Sequence, residues 1–267
     1  MDACGVRAIL PRPEGRGLPR IPIKGDAHAV KAANINPYLV DAPDVSIVRR
    51  TLPISPDAPP MAYGSMPIDN GNLALTAAEA NELRSDYRDA ASFIRPYIGG
   101  EEFINGGERF CLWLVDCPPS LLRGWPNIVA RLSANRAFRL SSGRPQTRAL
   151  AETPALFGEI RQPASRYLFV PKVSSENRPY MPVGLCDPAI IASGSGLVVA
   201  DATHYCLGIV QSVMHMAWMR AVCGRLESRY QYSAGIVYNN FPWPTPTDKQ
   251  RAAIETAAQT VLDARAA

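Results

Sequence analysis

The sequence predicts an α+β fold, with a mixed or antiparallel sheet and packed helices, followed by a small, mainly helical C-terminal domain. Three observations carry this. Short apolar runs such as Arg109-Phe-Cys-Leu-Trp-Leu-Val115 and Arg166-Tyr-Leu-Phe-Val170 are strand-sized and bounded by polar residues or proline. Helix starts are marked by Thr76 with Glu79, which form a capping box, and by Pro126. After Thr203 the texture changes to apolar residues at helical spacing. The expected organisation is a poorly ordered lead-in over 1–30, a body over 31–200 and a helical end over 201–267.

Taken in order, residues 1–31 are rich in Pro, Gly and Arg and offer one short strand at 6–10. Residues 32–72 hold extended pieces such as 45–48, divided by prolines that a helix interior does not tolerate. Met66-Pro-Ile-Asp-Asn-Gly71 is a turn. Thr76 opens a helix through Ala80, Leu83 and Tyr87 that ends near Ala91, and 109–115 is a buried strand. Pro126 opens a second helix through Ile128, Leu132 and Phe138. The polar stretch 141–148 interrupts it, and a short helix follows at 147–152. The strand Arg166-Tyr-Leu-Phe-Val170 stops at Pro171. Further strands are expected at 180–183 and as a hairpin over 190–199 around Ser193-Gly-Ser195. Residues 207–222 read as one helix on Ile209, Val213, Met216 and Val222, closed by Gly224. A brief strand at 235–238 precedes Asn239-Asn-Phe-Pro-Trp-Pro-Thr-Pro246, which cannot be helix. The tail over 248–265 is amphipathic on Ile254, Ala258, Val261 and Leu262.

Composition excludes several classes. Among 267 residues, 28 Lys+Arg face 24 Asp+Glu for a net charge of +4, and 47% are hydrophobic while 19% are charged, so a packed core is expected rather than disorder or a histone-like tail. No apolar run approaches the ~20 residues of a membrane span, and the start lacks the apolar segment of a signal peptide, so the cytoplasm is the expected setting. The cysteines at 4, 111, 117, 186, 206 and 223 form no C-x-x-C pair, which leaves zinc ribbons and thioredoxin chemistry without support and favours free buried thiols. Lysine occurs only at 24, 31, 172 and 249. The basic charge is therefore carried by arginine, the residue of bidentate phosphate and guanine recognition; a GC-rich coding sequence produces the same bias.

Catalytic constellations are absent from the sequence. Asn34-Ile-Asn36-Pro37-Tyr38 has one proline where the base-flipping loop of adenine methyltransferases has two, and no Gly-rich strand-to-helix turn precedes it, so it reads as a structural turn. Glu101 and Glu102 read as a solvated pair on opposite faces of a strand. His204 and His215 are too isolated for zinc, and His215 reads as a satisfied core or interface histidine. No nucleophile elbow, phosphate-cradling loop or metal-dependent phosphodiesterase pattern is present. The chain alone is expected to be inactive, with no metal site.

Two stretches have the residue types of a DNA-reading surface. The first holds Arg131, Arg136, Arg139, Arg144 and Arg148 with Asn135, Ser141, Ser142, Gln146 and Thr147 between them. Arg reads guanine bidentately, Asn or Gln reads adenine, and small hydroxyls suit phosphates. A solvated basic helix face with a surface loop has the same composition. The second, Lys172-Val-Ser-Ser175-Glu176-Asn-Arg178-Pro-Tyr180, places a cation, a hydroxyl, a carboxylate and an arginine in one loop between strands. There Glu176 and Arg178 either face bases or pair with neighbours to fix the loop.

Several segments together resemble one family. They are Ala33-Asn-Ile-Asn-Pro-Tyr-Leu-Val40, Tyr97-Ile-Gly-Gly-Glu-Glu-Phe-Ile-Asn105, Arg109-Phe-Cys-Leu-Trp-Leu114, Val173-Ser-Ser-Glu-Asn-Arg178, Met214-His-Met-Ala-Trp-Met-Arg220, Cys223-Gly-Arg-Leu226 and Val237-Tyr-Asn-Asn-Phe-Pro-Trp-Pro244. From about Lys31 to Arg265 the chain is similar to the C-terminal third of MmeI-like restriction-modification enzymes, which join a nuclease, an adenine-specific DNA methyltransferase, a target recognition domain and a helical C-terminal domain. The resemblance implies that 31–200 is a DNA target recognition domain for double-stranded DNA. It further implies that S-adenosylmethionine binds a methyltransferase domain, absent here, that would act with this chain as a domain or separate subunit. On this reading the base-reading loops are 141–148 and 176–178, although the Ser-Ser-Glu-x-Arg pattern recurs in the family, so Glu176 is equally open to an architectural role. Two alternatives remain at this point. One is a complete methyltransferase with an unrecognised cofactor site. The other is a non-catalytic interaction or structural fragment of a broken gene, with the Phe241-Pro-Trp243-Pro segment, taken as exposed, and the Trp113 and Trp218 clusters as packing elements or a docking face.

Overall fold

The structure, a computed structural model, describes residues 33–35, 41, 43–44 and 46–266. The lead-in, the strand expected at 6–10, residues Asn36, Pro37 and Tyr38, and the first position of the piece expected at 45–48 lie outside the described residues. In chain order the elements are β1 (Met61–Tyr63), β2 (Ala74–Thr76), α1 (Ala77–Asp86), a 3-10 turn (Arg88–Phe93), β3 (Ile94–Ile98), α2 (Gly100–Asn105), β4 (Arg109–Leu112), α3 (Pro119–Leu122), α4 (Pro126–Leu140) and α5 (Pro145–Ala149). A second 3-10 turn (Leu150–Glu152) leads to β5 (Tyr167–Pro171), β6 (Val173–Ser174), β7 (Gly184–Cys186), β8 (Ile191–Ala192), β9 (Gly196–Val199), α6 (His204–Val210), α7 (Val213–Val222), β10 (Gly224–Leu226), β11 (Arg229–Gln231), a π-helical turn (Ala234–Tyr238) and α8 (Asp248–Ala266). This is the α+β class the sequence predicts.

Among the described residues three small sheets organise the fold. The central one is antiparallel, in the order β1-β9-β5-β7. Strand β5 is buried along its whole length. Its Leu168 and Val170 join one core, and Tyr167 and Phe169 join another. A strand covered on both faces reads as an unbroken apolar run, as Tyr-Leu-Phe-Val does. Each such Leu, Val or Phe contributes roughly 1.5–3 kcal/mol by burial. A second sheet, β2-β4-β3-β8, is antiparallel except for the parallel β3–β8 pair. It lies in a core of Leu73, Leu75, Leu83, Leu112, Trp125 and Ile128, among others. The third, β10-β11-β6, is antiparallel and largely exposed at β10.

Several elements differ from the sequence expectation. The helix from Thr76 keeps its capping box but ends at Asp86, and a 3-10 turn takes over after Tyr87. No strand forms at 180–183; the next strand is β7. The residues around Ser193-Gly-Ser195 do not make a hairpin. The turn itself closes, with the Gly196 N–H donating to Ser193 O at 2.9 Å. The strands on its two sides then leave for different sheets, β8 beside β3 and β9 between β1 and β5. The expected single helix over 207–222 is two, because Ser212 caps α7 by accepting from the His215 N–H. Gly224 opens β10 instead of closing that helix, and 235–238 is π-helical, capped by Ser233.

Packing is continuous across residue 200. Leu168, Val170, Leu197 and Val199 from the central sheet share one core with Tyr205, Leu207, Met216, Tyr238 and Trp243. Helix α8 closes this core against α6. Gly208 permits the approach, since a Cβ there would stand 2.6 Å from Ile254 Cγ2. The residues before β1 run as a strap over the π-helical turn and the residues after it. The Arg50 N–H donates to Gly235 O at 2.9 Å, and the Ile54 N–H donates to Asn239 O at 2.8 Å. Asn240 Nδ2 donates back to Val48 O at 3.1 Å. Phe241 and Trp243, taken from the sequence as exposed, are 3% and 7% accessible, so their work is packing.

Candidate nucleic-acid interface

The first stretch is built on α4, which Pro126 starts. Ile128, Leu132, Asn135 and Arg139 repeat at helical spacing and all four are buried. Arg139 is fully enclosed. Its Nε donates to Ile68 O at 3.0 Å, Nη1 to Leu150 O and Thr153 O at 2.9 Å, and Nη2 to Pro67 O and Leu156 O at 2.8 Å. All five N–H donors are thus satisfied by backbone carbonyls. Burial pulls its pKa down, opposed by Asp69 nearby. Asn135 is equally enclosed and donates to Pro154 O at 2.8 Å. These two side chains were expected on the DNA surface and are corrected to interior scaffolding. The missed signal is that both fall on the apolar stripe of α4.

Arg131 is likewise engaged inward. Its Nη1 lies 2.9 Å from Glu79 Oε1, its Nε donates to Asn72 O at 2.8 Å and its Nη2 to Ala74 O at 2.8 Å. With Nη2 also donating to Gly71 O at 3.3 Å, four of its five N–H groups are engaged within the chain, and the side chain is 26% exposed. Arg136 is exposed and faces Glu152 at 3.6 Å.

Beyond Leu140 the chain turns outward. Ser141 Oγ donates to Phe138 O at 2.8 Å, the Arg144 N–H donates to Ser142 Oγ at 3.2 Å, and Pro145 starts α5. Arg148 Nη1 reaches back to Ser142 O at 2.9 Å and closes the loop. Arg144, Gln146 and Arg148 are exposed, as is Ser141, while Ser142 and Thr147 are half-buried. Among the described residues the guanidinium of Arg144 has no hydrogen bond or ion pair.

The second stretch follows β5. Lys172 Nζ lies 5.0 Å from the centre of the Tyr63 ring, a cation–π contact. Ser175 starts a turn in which its Oγ accepts from the Asn177 N–H and its carbonyl from the Arg178 N–H, both at 3.2 Å. Because β6 pairs with β11 through Ser174 and Tyr230, this turn lies beside the turn of the β10–β11 hairpin. The Ser228 hydroxyl there holds the Glu176 carboxyl below the usual range, with help from its own backbone N–H and from Arg225 and Arg229. The Arg178 side chain has no hydrogen bond or ion pair among the described residues.

Residues Arg220, Arg225 and Arg229 also belong to this corner. Arg225 stacks 4.2 Å from the centre of the Tyr230 ring, Arg220 Nη2 donates to Pro179 O at 3.4 Å, and Arg229 lies 2.9 Å from Glu227. Sequence reasoning did not assign them to the surface. Their signal was the Arg-x-x-x-Arg spacing across a two-residue turn in Arg225-Leu-Glu-Ser-Arg229. No hydrogen bond or ion pair among the described residues joins the first stretch to the second.

The acidic residues make a different feature. Glu79, Glu101, Glu102 and Glu108 line an open cleft of about 460 Å³ together with Arg109. Glu101 and Glu102 lie in α2, not in a strand. Glu102 accepts from the Gly99 N–H at 2.7 Å and pairs with Arg109 at 2.9 Å, so it caps and braces rather than standing solvated. Among the described residues no group of three His, Cys, Asp or Glu could hold a metal ion, and no helix is long and apolar enough to cross a membrane. His215 is fully buried and its Nε2 lies 2.9 Å from the Tyr232 hydroxyl, while its buried Nδ1 has no hydrogen-bond partner among the described residues, so it is a core histidine satisfied at one nitrogen only.

Comparison with known proteins agrees with this fold. DNA methyltransferase A of Bacillus subtilis (strain 168) is 40% identical over 233 residues, covering 87% of this chain and 26% of that protein. A solved structure of the Type IIL restriction-modification enzyme MmeI in complex with DNA is 44% identical, with a TM-score of 0.86, over 91% of this chain and 32% of that one. The chain thus spans about a quarter to a third of the length of these relatives. Residues 41–245 match the family described as MmeI, target recognition domain, and the chain belongs to that family.

Proposed function

We propose that this chain reads a short sequence in double-stranded DNA for an adenine-specific methyltransferase of the MmeI kind, whose catalytic and nuclease parts stand on another domain or subunit. The observation that carries this is the division among the arginines. Arg131 and Arg139 are committed to partners within the chain, while the guanidinium groups of Arg144 and Arg178 have no such partner among the described residues and stand on turns, each beside hydroxyl and amide or carboxylate groups. Arg144, Gln146 and Arg148 on one turn, and Ser175, Glu176 and Arg178 on the other, are the base-facing candidates; Ser141, Ser142, Thr147 and Lys172 suit phosphates. That MmeI was solved in complex with DNA supports the same reading.

This chain's own residues do not fit S-adenosylmethionine. The acidic cleft has no aromatic side chain to stack an adenine ring, and the Gly99-Gly100 turn from β3 into α2 has its amides taken, Gly99 N–H by the Glu102 carboxylate and Gly100 N–H by Ser195 Oγ. On this reading the cofactor belongs to the methyltransferase domain and the setting is the cytoplasm, with which the free thiols at 111, 117, 186, 206 and 223 are consistent.

The test is selection of a randomised duplex pool by the purified chain. One enriched motif, with affinity that falls steeply with salt as counterions are displaced, is the expected result. Uniform recovery of all sequences, or binding indifferent to salt, defeats the proposal. Transfer of labelled methyl by the chain alone would instead establish a catalytic site within it.

A further inference from the structure

The geometry of the third sheet points to a second element of the recognition surface: we propose that the β10–β11 hairpin is a phosphate-seating arm, in which Arg225 and Arg229 take backbone phosphates of the duplex whose bases face Glu176 and Arg178. This rests on the DNA-reading function proposed above.

The argument begins with the register. Arg225 lies opposite Tyr230, and Leu226 lies opposite Arg229. Residues paired across an antiparallel ladder share a face and neighbours alternate, so Arg225 and Arg229 project from opposite faces of the ribbon, on either side of its Glu227-Ser228 turn. All three residues of β10 are exposed, and β10 is the open edge of its sheet. A two-stranded ribbon with a cation on each face, standing at an edge, can meet a sugar–phosphate strand without any rearrangement of the core. Major grooves admit ribbons of this width.

Charge points the same way. Arg225 and Arg229 act on the Glu176 carboxylate, Arg229 pairs with Glu227, and Arg178 and Arg220 flank them, so four cations meet two carboxylates in a chain whose net charge is only +4. Pairing the two carboxylates still leaves an excess of cations there. Arg225 is held in place by its stack on Tyr230 and by carbonyl contacts of 3.4 Å to Ser228 and Arg220, which leave its Nε–H unengaged. A guanidinium already ordered by stacking loses little rotamer freedom on meeting a phosphate. The ionised Glu176 would repel a phosphate placed directly over it, so the arm seats the backbone to its sides and leaves the carboxylate to accept from a base amine.

The experiment measures binding of the full chain to its selected duplex and to a scrambled duplex between 50 and 200 mM salt (about the range over which phosphate contacts report). The Arg225→Gln/Arg229→Gln variant is expected to lower affinity for both duplexes by the same factor. Its plot of log affinity against log salt should be shallower by about 1.8, from ~0.9 per lost phosphate contact. Arg229→Gln alone leaves the Tyr230 stack untouched and should give about half that change, and the double Lys variant should restore most of the slope. An unchanged slope in the double Gln variant, while the wild-type chain binds normally, overturns the arm and leaves DNA reading intact. So does a loss confined to the selected duplex, which would make these arginines base readers. If the wild-type chain shows no salt-dependent binding, both inferences fall together.

Discussion

The Arg131 guanidinium lies 2.9 Å from the Glu79 carboxylate and ties the middle of α4 to the first turn of α1. Glu79 also accepts from the Thr76 N–H at 2.8 Å and the Thr76 hydroxyl at 2.9 Å, so one carboxylate serves a capping box and an interhelical bridge at once. The Thr76 N–H, then Arg131, lowers its pKa. A carboxyl whose folded-state pKa is depressed contributes stability that is present above its unfolded pKa and is lost as pH falls through the folded value. The melting temperature should therefore drop as pH falls below about 4.3, and Glu79→Gln should flatten that part of the profile. Arg131→Ala should cost about 1–2 kcal/mol in denaturant melts, for one half-exposed ion pair and several carbonyl bonds, with base preference unchanged. A relaxed preference in Arg131→Ala would return it to the reading surface.

Arg139 holds the residues at 67–68 and 150–156 against α4 with a single side chain. Replacing it by Met fills much of the same volume but removes five donors and leaves Ile68 O and Leu156 O without one, while Pro67 O, Leu150 O and Thr153 O keep a backbone N–H. The expected loss is about 3–5 kcal/mol, the range for removing one side of a buried charged network. Lys is expected to rescue poorly, because one ammonium has three donors where the guanidinium has five. Chemical denaturation of both variants checks this; a loss under 1 kcal/mol in Arg139→Met would show that water reaches those carbonyls.

The sequence reveals elements whose signals are local. The Thr76–Glu79 box, Pro126, the Tyr-Leu-Phe-Val strand and the amphipathic α8 all appear where the residues put them, because caps, fixed proline φ and periodicity act within one turn or strand. Register between distant segments is not local, so the separation of β8 from β9 was hidden: each apolar pair suits a hairpin until a third strand competes for it. The site behaved the same way. Arg144 and Arg178 were legible as turn residues, the first exposed and the second half-buried. Arg139 and Asn135 misled because residue type suggested DNA while helical phase placed them on the apolar stripe. The hairpin arginines were missed because only the β6–β11 pairing brings Arg225 and Arg229 to Glu176.

The His215–Tyr232 pair is a source of pH dependence away from the surface. Burial lowers the His215 pKa from 6.5 to about 4, and its ring meets Phe241 edge-on at 4.5 Å. The folded pKa is below the unfolded one, so the unfolded chain takes up the proton first. Stability is complete above about pH 6.5 and declines as pH falls toward 4. Thermal melts between pH 7 and 5 should show this decline in the wild type, and His215→Gln, which cannot titrate, should have a flatter profile there with a lower plateau. Parallel profiles for the two proteins would mean that His215 titrates outside this window.

The two exposed turns make separable demands on DNA. Among the described residues the Arg144 side chain has no hydrogen bond or ion pair, and its backbone bonds survive truncation, so Arg144→Ala should leave the fold unchanged. Removing it should cost about 1–3 kcal/mol of binding to the selected duplex if it holds a guanine edge, and binding to the duplex changed at that base pair should be unaffected. Arg178→Ala should behave alike at a different base pair. A side chain that reads a base loses only discrimination at its own position, whereas one that holds a phosphate weakens all sequences equally. Arg148 is an internal control, because its bond to Ser142 O braces the loop. Arg148→Ala should therefore weaken every interaction made by Arg144 and Gln146 together. Affinities of the three variants across a panel of single-base-pair substitutions separate these outcomes, and equal losses over the whole panel for Arg144→Ala and Arg178→Ala would move both residues from base reading to backbone contact.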